Sequence, residues 1–423
     1  MIARLVVRLN APVDASSVRA FRVLFGLAMA VAGLRFFTHD WITHEFTDPH
    51  HFFHYWGFGW VSPLPARWME VLFVVLVVSA LAIACGWYVR ASSSVFAVAF
   101  IYAHLCDKAN YLNHYYLVGL LACWFVVLPL GARADFTRAW VLYVLRFQVG
   151  VVYVFGGIGK LGVDWLMHGE PMRLWLSANA GLPVVGRLFD LNGIGLLASW
   201  CGALFDLGIV PALIWRQTRG TAYVVLVVFH VLTAMLFNIG MFPWLMIIAA
   251  TLFFPPDWSR RYLPHLGRGV SGPQVRFSGL VALTSYALIQ VLVPLRTYFY
   301  PGNTLWTEEG FRFAWRVMLI EKSGDLEFRV VDGESHVRTV SPRAYCTPFQ
   351  ARMAGTQPDM ILELAHWIAK DNPGTQVFAD APVSFNGRFG TALVNPNVDL
   401  AREQDTLAHK TWIMPAPRGP PDF

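Results

Sequence analysis

Nine long, nearly uncharged apolar runs limit what this chain can become: Val18–Phe37, Trp68–Gly86, Ser93–Cys106, Tyr115–Leu130, Ala139–Gly157, Gly195–Trp215, Tyr223–Phe237, Met241–Phe254 and Gly279–Leu295. About 20 mostly apolar residues cross a bilayer as a helix, and the shorter runs fall near or below the lower limit of roughly 17. The pattern predicts a mainly α, polytopic membrane bundle of about nine spans. Only 14% of residues are charged, against roughly 25% in ordinary soluble domains. A soluble cytosolic enzyme, a disordered chain and a disulfide-stapled secreted module are excluded. The first run is followed by Arg35 without a small-residue cleavage site, so it reads as a retained helix.

Charge divides the chain in two. Residues 1–294 hold 20 Lys and Arg against 12 Asp and Glu, a balance of +8, whereas residues 295–423 hold 13 against 15, a balance of −2. With the N-terminus inside, alternate loops collect Arg4, Arg8, Arg19, Arg22, Arg90, Arg133, Arg138, Arg216, Arg219, Arg260, Arg261, Arg268 and Arg276. That is the positive-inside pattern, so the basic excess calls for a bilayer and not for nucleic acid. An odd number of spans then places residues 295–423 outside, with a multi-pass bacterial inner-membrane location as the expectation.

That second region carries soluble patterning. Leu326–Val331 and His336–Val340 flank Asp332-Gly333, Asn386-Gly387 marks another turn, and Pro358–Lys370 has apolar residues at helical spacing. A small α+β extracytoplasmic domain is predicted, with its proline-rich end Pro415–Pro421 frayed.

Ionisable groups at membrane depth are costly and default to functional candidates. Lys160 is the sharpest, flanked by Gly156, Gly157, Gly159 and Gly162 at the end of an apolar run. Shielding from water disfavours the charged form of an amine, and only a neutral amine can take a proton. The plainer reading is a snorkelling lysine paired with Asp164. His114 and His230 sit among apolar residues, a setting that more often holds a packing histidine than a catalyst; Asp206 lies inside the sixth run. Gly157-Ile158-Gly159-Lys160-Leu161-Gly162 matches G-x-G-x-x-G by letters, but it follows a membrane helix instead of a strand. The histidines at 39, 44, 50, 51 and 54 lack a zinc-binding pattern, and the five cysteines form no C-x-x-C. No metal site is expected.

Three ordered strings carry a resemblance. Asp107-Lys108 through Asn113-His114-Tyr115-Tyr116-Leu117, Gly157 through Lys160-Leu161 and Asp164-Trp165, and His230 with Leu236-Phe237-Asn238-Ile239-Gly240-Met241-Phe242 together resemble segments of vitamin K-dependent γ-glutamyl carboxylases. Similarity is greatest to the shorter bacterial HTTM-domain relatives, and Trp306-Thr307 through Ala314-Trp315-Arg316-Val317-Met318 extends it into the second region. The resemblance implies a division into a membrane domain, 1–294, and a C-terminal domain, 295–423. It implies a reduced vitamin K or menaquinol-type naphthoquinone, with O2 and CO2 as co-substrates. A lysine deprotonates the quinol, oxygenation creates a stronger base that removes a glutamyl γ-proton, CO2 adds, and the quinone leaves as its epoxide.

Carried over by position, Lys160 matches the proposed base and His114 the histidine that stabilises the intermediate. Gly159 replaces the first lysine of the family's pair. Asn113, His230 and Asn238 match positions near the quinone, and Trp306 and Trp315 are candidates for a substrate wall. Expected partners are the bilayer, a quinone and a glutamyl peptide or protein. Two alternatives stay open: quinol epoxidation without carboxylation, and a non-enzymatic membrane protein.

Overall fold

The computed structural model describes residues 2–131, 134–183, 186–267 and 269–422; Arg133 and Arg268 lie outside the described residues. An amphipathic helix, α1 (Ile2–Asn10), precedes the bundle: α2 (Ser16–Thr38), α3 (Trp41–Phe46), α4 (Ala66–Cys85), α5 (Val89–Leu105), α6 (Asn113–Val127), α7 (Ala139–Gly159), α8 (Met172–Ala178), α9 (Gly186–Phe189), α10 (Ile194–Ile214), α11 (Arg219–Leu236), α12 (Phe242–Ala250) and α13 (Phe277–Leu295). Each of the nine apolar runs becomes a helix. Among the described residues six are long and apolar enough to cross a membrane: α2, α4, α7, α10, α11, and α13 with the turn after it. Helices α5, α6 and α12, the last extended by a 3-10 turn to Phe253, are shorter. The protein is a multi-pass membrane helix bundle whose outer faces present residues such as Val74, Val78, Leu197, Leu204, Val228 and Leu292.

Burial of apolar surface cannot drive helices together in lipid, so close packing must do it. Gly26 shows the requirement: a Cβ there would stand 2.6 Å from the Ala80 carbonyl oxygen, so α2 and α4 touch only because that position is bare. Phe21, Phe25, Phe96 and Phe125 fill the space beside this crossing, with Phe25 and Phe125 centroids 4.8 Å apart.

Arginines expected to mark the cytoplasmic side have a second duty. Arg22 donates to the Ile83 carbonyl at the end of α4, Arg90 to Val126 at the end of α6, and Arg219 to Leu213 near the end of α10. Helix ends leave carbonyls unpaired and carry partial negative charge, so each arginine caps one. Strands β1 (Pro12–Asp14), β2 (Phe136–Arg138) and β3 (Val270–Ser271) form a small sheet at this same end.

The C-terminal region is α+β: α14 (Thr304–Thr307), β4 (Lys322–Gly324), β5 (Glu327–Val331), β6 (Val337–Val340), α15 (Pro348–Ala354), α16 (Pro358–Asp371), β7 (Gln376–Asp380), β8 (Pro382–Phe385) and β9 (Arg388–Ala392). Asp332-Gly333 joins β5 to β6, and Asn386 and Gly387, both at positive φ, join β8 to β9. The sheets run β6-β5-β7 and β4-β8-β9, and α16 buries Ile361, Leu364 and Ile368 in a core with Phe328, Val377 and Phe385. The terminal segment is tied down, contrary to expectation. Arg388 donates to the Gly419 carbonyl, and the Asp422 carboxylate accepts from the Phe389 N–H.

Candidate functional site

A cavity of about 630 Å3 opens among α2, α3, α4, α5, α6 and α12 and is graded from end to end. Met29, Phe73, Leu76, Phe96 and Val118 line its deep part; Arg35, His44, Glu45, Asn113, His114 and Asn238 line the end near the C-terminal region. The grading follows from alternating helix direction. Helices α2 and α5 end where α6 and α12 begin, so their polar terminal residues meet at one level.

His114 stands in the first turn of α6. Its ring is 4.6 Å from Tyr115 and 6.0 Å from Phe242, and neither ring nitrogen has a hydrogen bond among the described residues. Gly240, at φ +60°, passes beside it: a Cβ there would lie 3.9 Å from His114 Nε2. Asn238 lines the wall without a side-chain partner among the described residues, whereas Asn113 is engaged. It accepts from the Tyr111 hydroxyl and donates to the Arg316 carbonyl. Burial, then the Asp107 charge, pushes the Glu45 carboxyl up to about 7.

Lys160 belongs to a second centre outside this wall. Its Nζ lies 2.6 Å from Asp206 Oδ2 and 3.4 Å from the Gly156 carbonyl oxygen, with the Trp165 ring centroid 5.2 Å away. Both charged residues are buried. Gly156 makes the approach possible, since a Cβ there would sit 3.3 Å from Asp206 Oδ2. One turn of α7 earlier, Tyr153 Oη lies 2.8 Å from His230 Nε2. His230 is buried behind Phe242, which is 6.0 Å from both His230 and His114.

Pairing with Asp164 is thereby corrected. Asp164 instead takes both guanidinium arms of Arg388, at 2.6 and 3.0 Å, and the Asn386 amide. Lys160 is also not a lone shielded amine, because a carboxylate partner reaches it from α10.

The wall separating the two centres comes from the C-terminal region. Val317 and Met318 line the cavity, while Leu319 packs with Trp165 and covers Gly159, where a Cβ would meet Leu319 Cδ1 at 2.7 Å. Phe313, Trp315 and Met318 all hold positive φ, a costly conformation for side chains of this size. Trp306 and Trp315 do not line the cavity. Trp306 is buried in the C-terminal core, donating to the Met414 carbonyl, and Trp315 stacks at 4.8 Å on Tyr116.

Asp107 and Lys108 serve the joint between the regions. Lys108 Nζ lies 3.1 Å from Asp359 and 3.0 Å from Glu363, and Arg312 lies 2.7 Å from Asp359. Burial alone would raise the Asp359 carboxyl, but Arg312 and Lys108 outweigh it and hold it well below the usual range. Burial raises Asp107 to about 6 despite the amides of Ala109 and Gln350. The clustered histidines disperse: His44 meets Asp48, His54 meets Glu363, and His51 stacks on Trp367. No three His, Cys, Asp or Glu among the described residues come together as a metal site.

The two regions that build this site, the helix bundle and the α+β region over it, each match a known family. The chain matches the HTTM domain over residues 10–258, and the lumenal domain of vitamin K-dependent gamma-carboxylase over residues 276–419. It belongs to the HTTM-containing gamma-carboxylase family. No solved structure matches it. The helix residues of both centres fall within the HTTM match, and Val317–Leu319 with Phe349 and Met353 within the lumenal-domain match. A carboxylase-like membrane protein with a quinone cofactor is what this family membership implies.

Proposed function

We propose that the chain is a quinol-dependent membrane carboxylase that adds CO2 to a glutamyl γ-carbon. The observation that carries this reading is the graded cavity, apolar at depth and ending at the open imidazole of His114. Its volume and aromatic lining suit a naphthoquinone entering from lipid. Phe96, Phe100, Leu76 and Met29 would surround the apolar part, and His114 with Asn238 would meet the ring oxygens. When bound, the reduced quinone supplies, through oxygenation to its epoxide, the strong base that removes a γ-proton.

The chain's own groups would then handle protons and exclude water. His114 can donate to a developing oxyanion from either ring nitrogen. The 2.6 Å contact between Lys160 Nζ and Asp206 Oδ2 allows a proton to sit on either atom without changing the net charge of the pair. With the proton on Asp206, Nζ has a free lone pair; to act as the base on a quinol in the cavity it must come within hydrogen-bond reach, which requires the Val317–Leu319 wall to give way. Val317, Met318, Phe349 and Met353 cover the polar end and keep bulk water from a carbanion that would otherwise be reprotonated.

In the same reading, residues 1–294 form the membrane domain and 295–423 an extracytoplasmic domain. The arginine-capped end faces the cytoplasm of a bacterial inner membrane. The experiment supplies purified protein with reduced vitamin K, labelled CO2 and glutamyl peptides, and follows label and epoxide together. Wild type should produce both, and Lys160→Ala should lose at least about 100-fold of each, as expected on removing a general base. Equal labelling by the variant removes Lys160 from the mechanism. Epoxide without label would make the protein a quinol oxygenase, and no turnover of quinol would end the enzymatic reading.

A further inference from the structure

The cavity's polar end contains a cation that forms no ion pair among the described residues. Arg35 is in the last turn of α2 and lines the cavity, with its guanidinium carbon 5.1 Å from the centroid of the Trp41 ring. Among the described residues its guanidinium forms no ion pair and no hydrogen bond. Two other basic side chains of this end are engaged: His104 with the Phe100 carbonyl and His44 with Asp48. Arg35 also lies close enough for its charge to act on His114 and Tyr115.

Position along α2 shows what the cation could meet. Met29, Gly33 and Arg35 face the same cavity. Six residues of helix at 1.5 Å each put Arg35 about 9 Å from Met29 along the axis. A molecule with its apolar body against Met29 and Phe96 leaves the Arg35 level free for a second ligand arriving from the C-terminal region. The cation–π contact with Trp41 occupies none of the guanidinium N–H donors, and a planar fork of N–H groups matches the two oxygens of a carboxylate.

We infer that Arg35 is the anchor for the side-chain carboxylate of a glutamyl substrate, held beside His114 at the polar end of the cavity. This deepens the carboxylase reading and rests on it for the identity of the ligand. Anchoring the γ-carboxylate would fix the adjacent γ-carbon, the atom to be deprotonated. Glu45, on the same wall, sets a condition, since its ionised form repels the incoming carboxylate.

The test is a binding cycle without turnover. Affinities of a short glutamyl peptide and its glutaminyl counterpart are measured by calorimetry on nanodisc-embedded wild type, Arg35→Gln and Arg35→Lys. Wild type should prefer the glutamyl peptide on the order of 10- to 100-fold, the range of a charge-assisted hydrogen bond. Arg35→Gln should erase the preference and Arg35→Lys retain part of it. Equal binding of the two peptides by wild type overturns the proposal even if no variant folds. An undiminished preference in Arg35→Gln overturns it as well. If neither peptide shows coupling but a long-chain fatty carboxylate does, Arg35 belongs to a lipid site and the proposal fails. Because no catalysis is read, loss of CO2 fixation in the wild type would sink the carboxylase reading without deciding this one.

Discussion

The two centres of the bundle treat their polar groups in opposite ways. Around the cavity, the side chains of His114, Asn238 and Arg35 have no hydrogen bond or ion pair among the described residues. Around Lys160 the charges are answered: its amine meets Asp206 and the Gly156 carbonyl, and Trp165 donates to the Ser199 carbonyl, while Ser199 Oγ and His230 Nδ1 stay without a partner among the described residues. Open groups in a cavity are completed from outside the chain, by water or by a ligand that displaces it. A buried, balanced pair is complete alone and can join chemistry only by redistributing the proton it holds. The candidate base and the candidate binding surface are therefore distinct structures, divided by Val317–Leu319.

Asp206→Ala would break the closed centre most severely. It strands the Lys160 charge in an apolar wall, and losing one partner of a buried pair costs about 3–5 kcal/mol. Thermal unfolding in detergent should show a large drop, and Lys160→Met/Asp206→Leu should recover most of it while staying inactive. A double variant no more stable than Asp206→Ala would mean the pair's charges are not what that site needs.

Asp359→Asn attacks the joint, leaving Lys108 and Arg312 with reduced compensation, for an expected loss of about 3 kcal/mol. The depressed Asp359 carboxyl contributes stability that is complete above its unfolded value near 4 and is lost as pH falls toward the folded value. Limited proteolysis should find the C-terminal region held from pH 7 to about pH 4 and released progressively below that in wild type. A flatter profile is expected in the variant.

The open centre responds through function. His114→Ala should lower quinol turnover by roughly 100-fold with little change in unfolding temperature, since the ring has no protein hydrogen bond to lose. A variant that unfolds early but turns over normally would reverse the assignment. Glu45 gives the smallest effect. With its carboxyl near pH 7, it is mostly ionised above that pH and mostly neutral below. Glutamyl peptide should bind a few-fold more tightly at pH 6 than at pH 8, and Glu45→Gln should remove that dependence.

Much of the scaffold is legible in the residue order because it obeys local rules. Apolar runs became helices, Asp332-Gly333 and Asn386-Gly387 became hairpin turns, and the Pro358–Lys370 pattern became α16. The partners of charged groups were harder, because pairing depends on which helix faces which. Lys160 and Asp206 are 46 positions apart and Asp164 and Arg388 are 224 apart, so nearness in sequence pointed to the wrong acid. A usable signal existed. A lone acid within one span and a lone lysine ending another are each other's cheapest solution in lipid. Nothing local marked Val317 and Met318 as cavity wall, since their place is set by how the C-terminal region docks.

That docking gives Lys108 a consequence in time. Its side chain is only 4% exposed, and both acids that meet it come from α16, as Gln350, the partner of neighbouring Asp107, comes 243 positions later in the chain. During synthesis the α5–α6 turn must wait, hydrated or lipid-bound, until most of the protein has been made. The bundle's tail-side end is therefore finished last, so a chain truncated after α13 would carry stranded charges where the cavity's mouth should be.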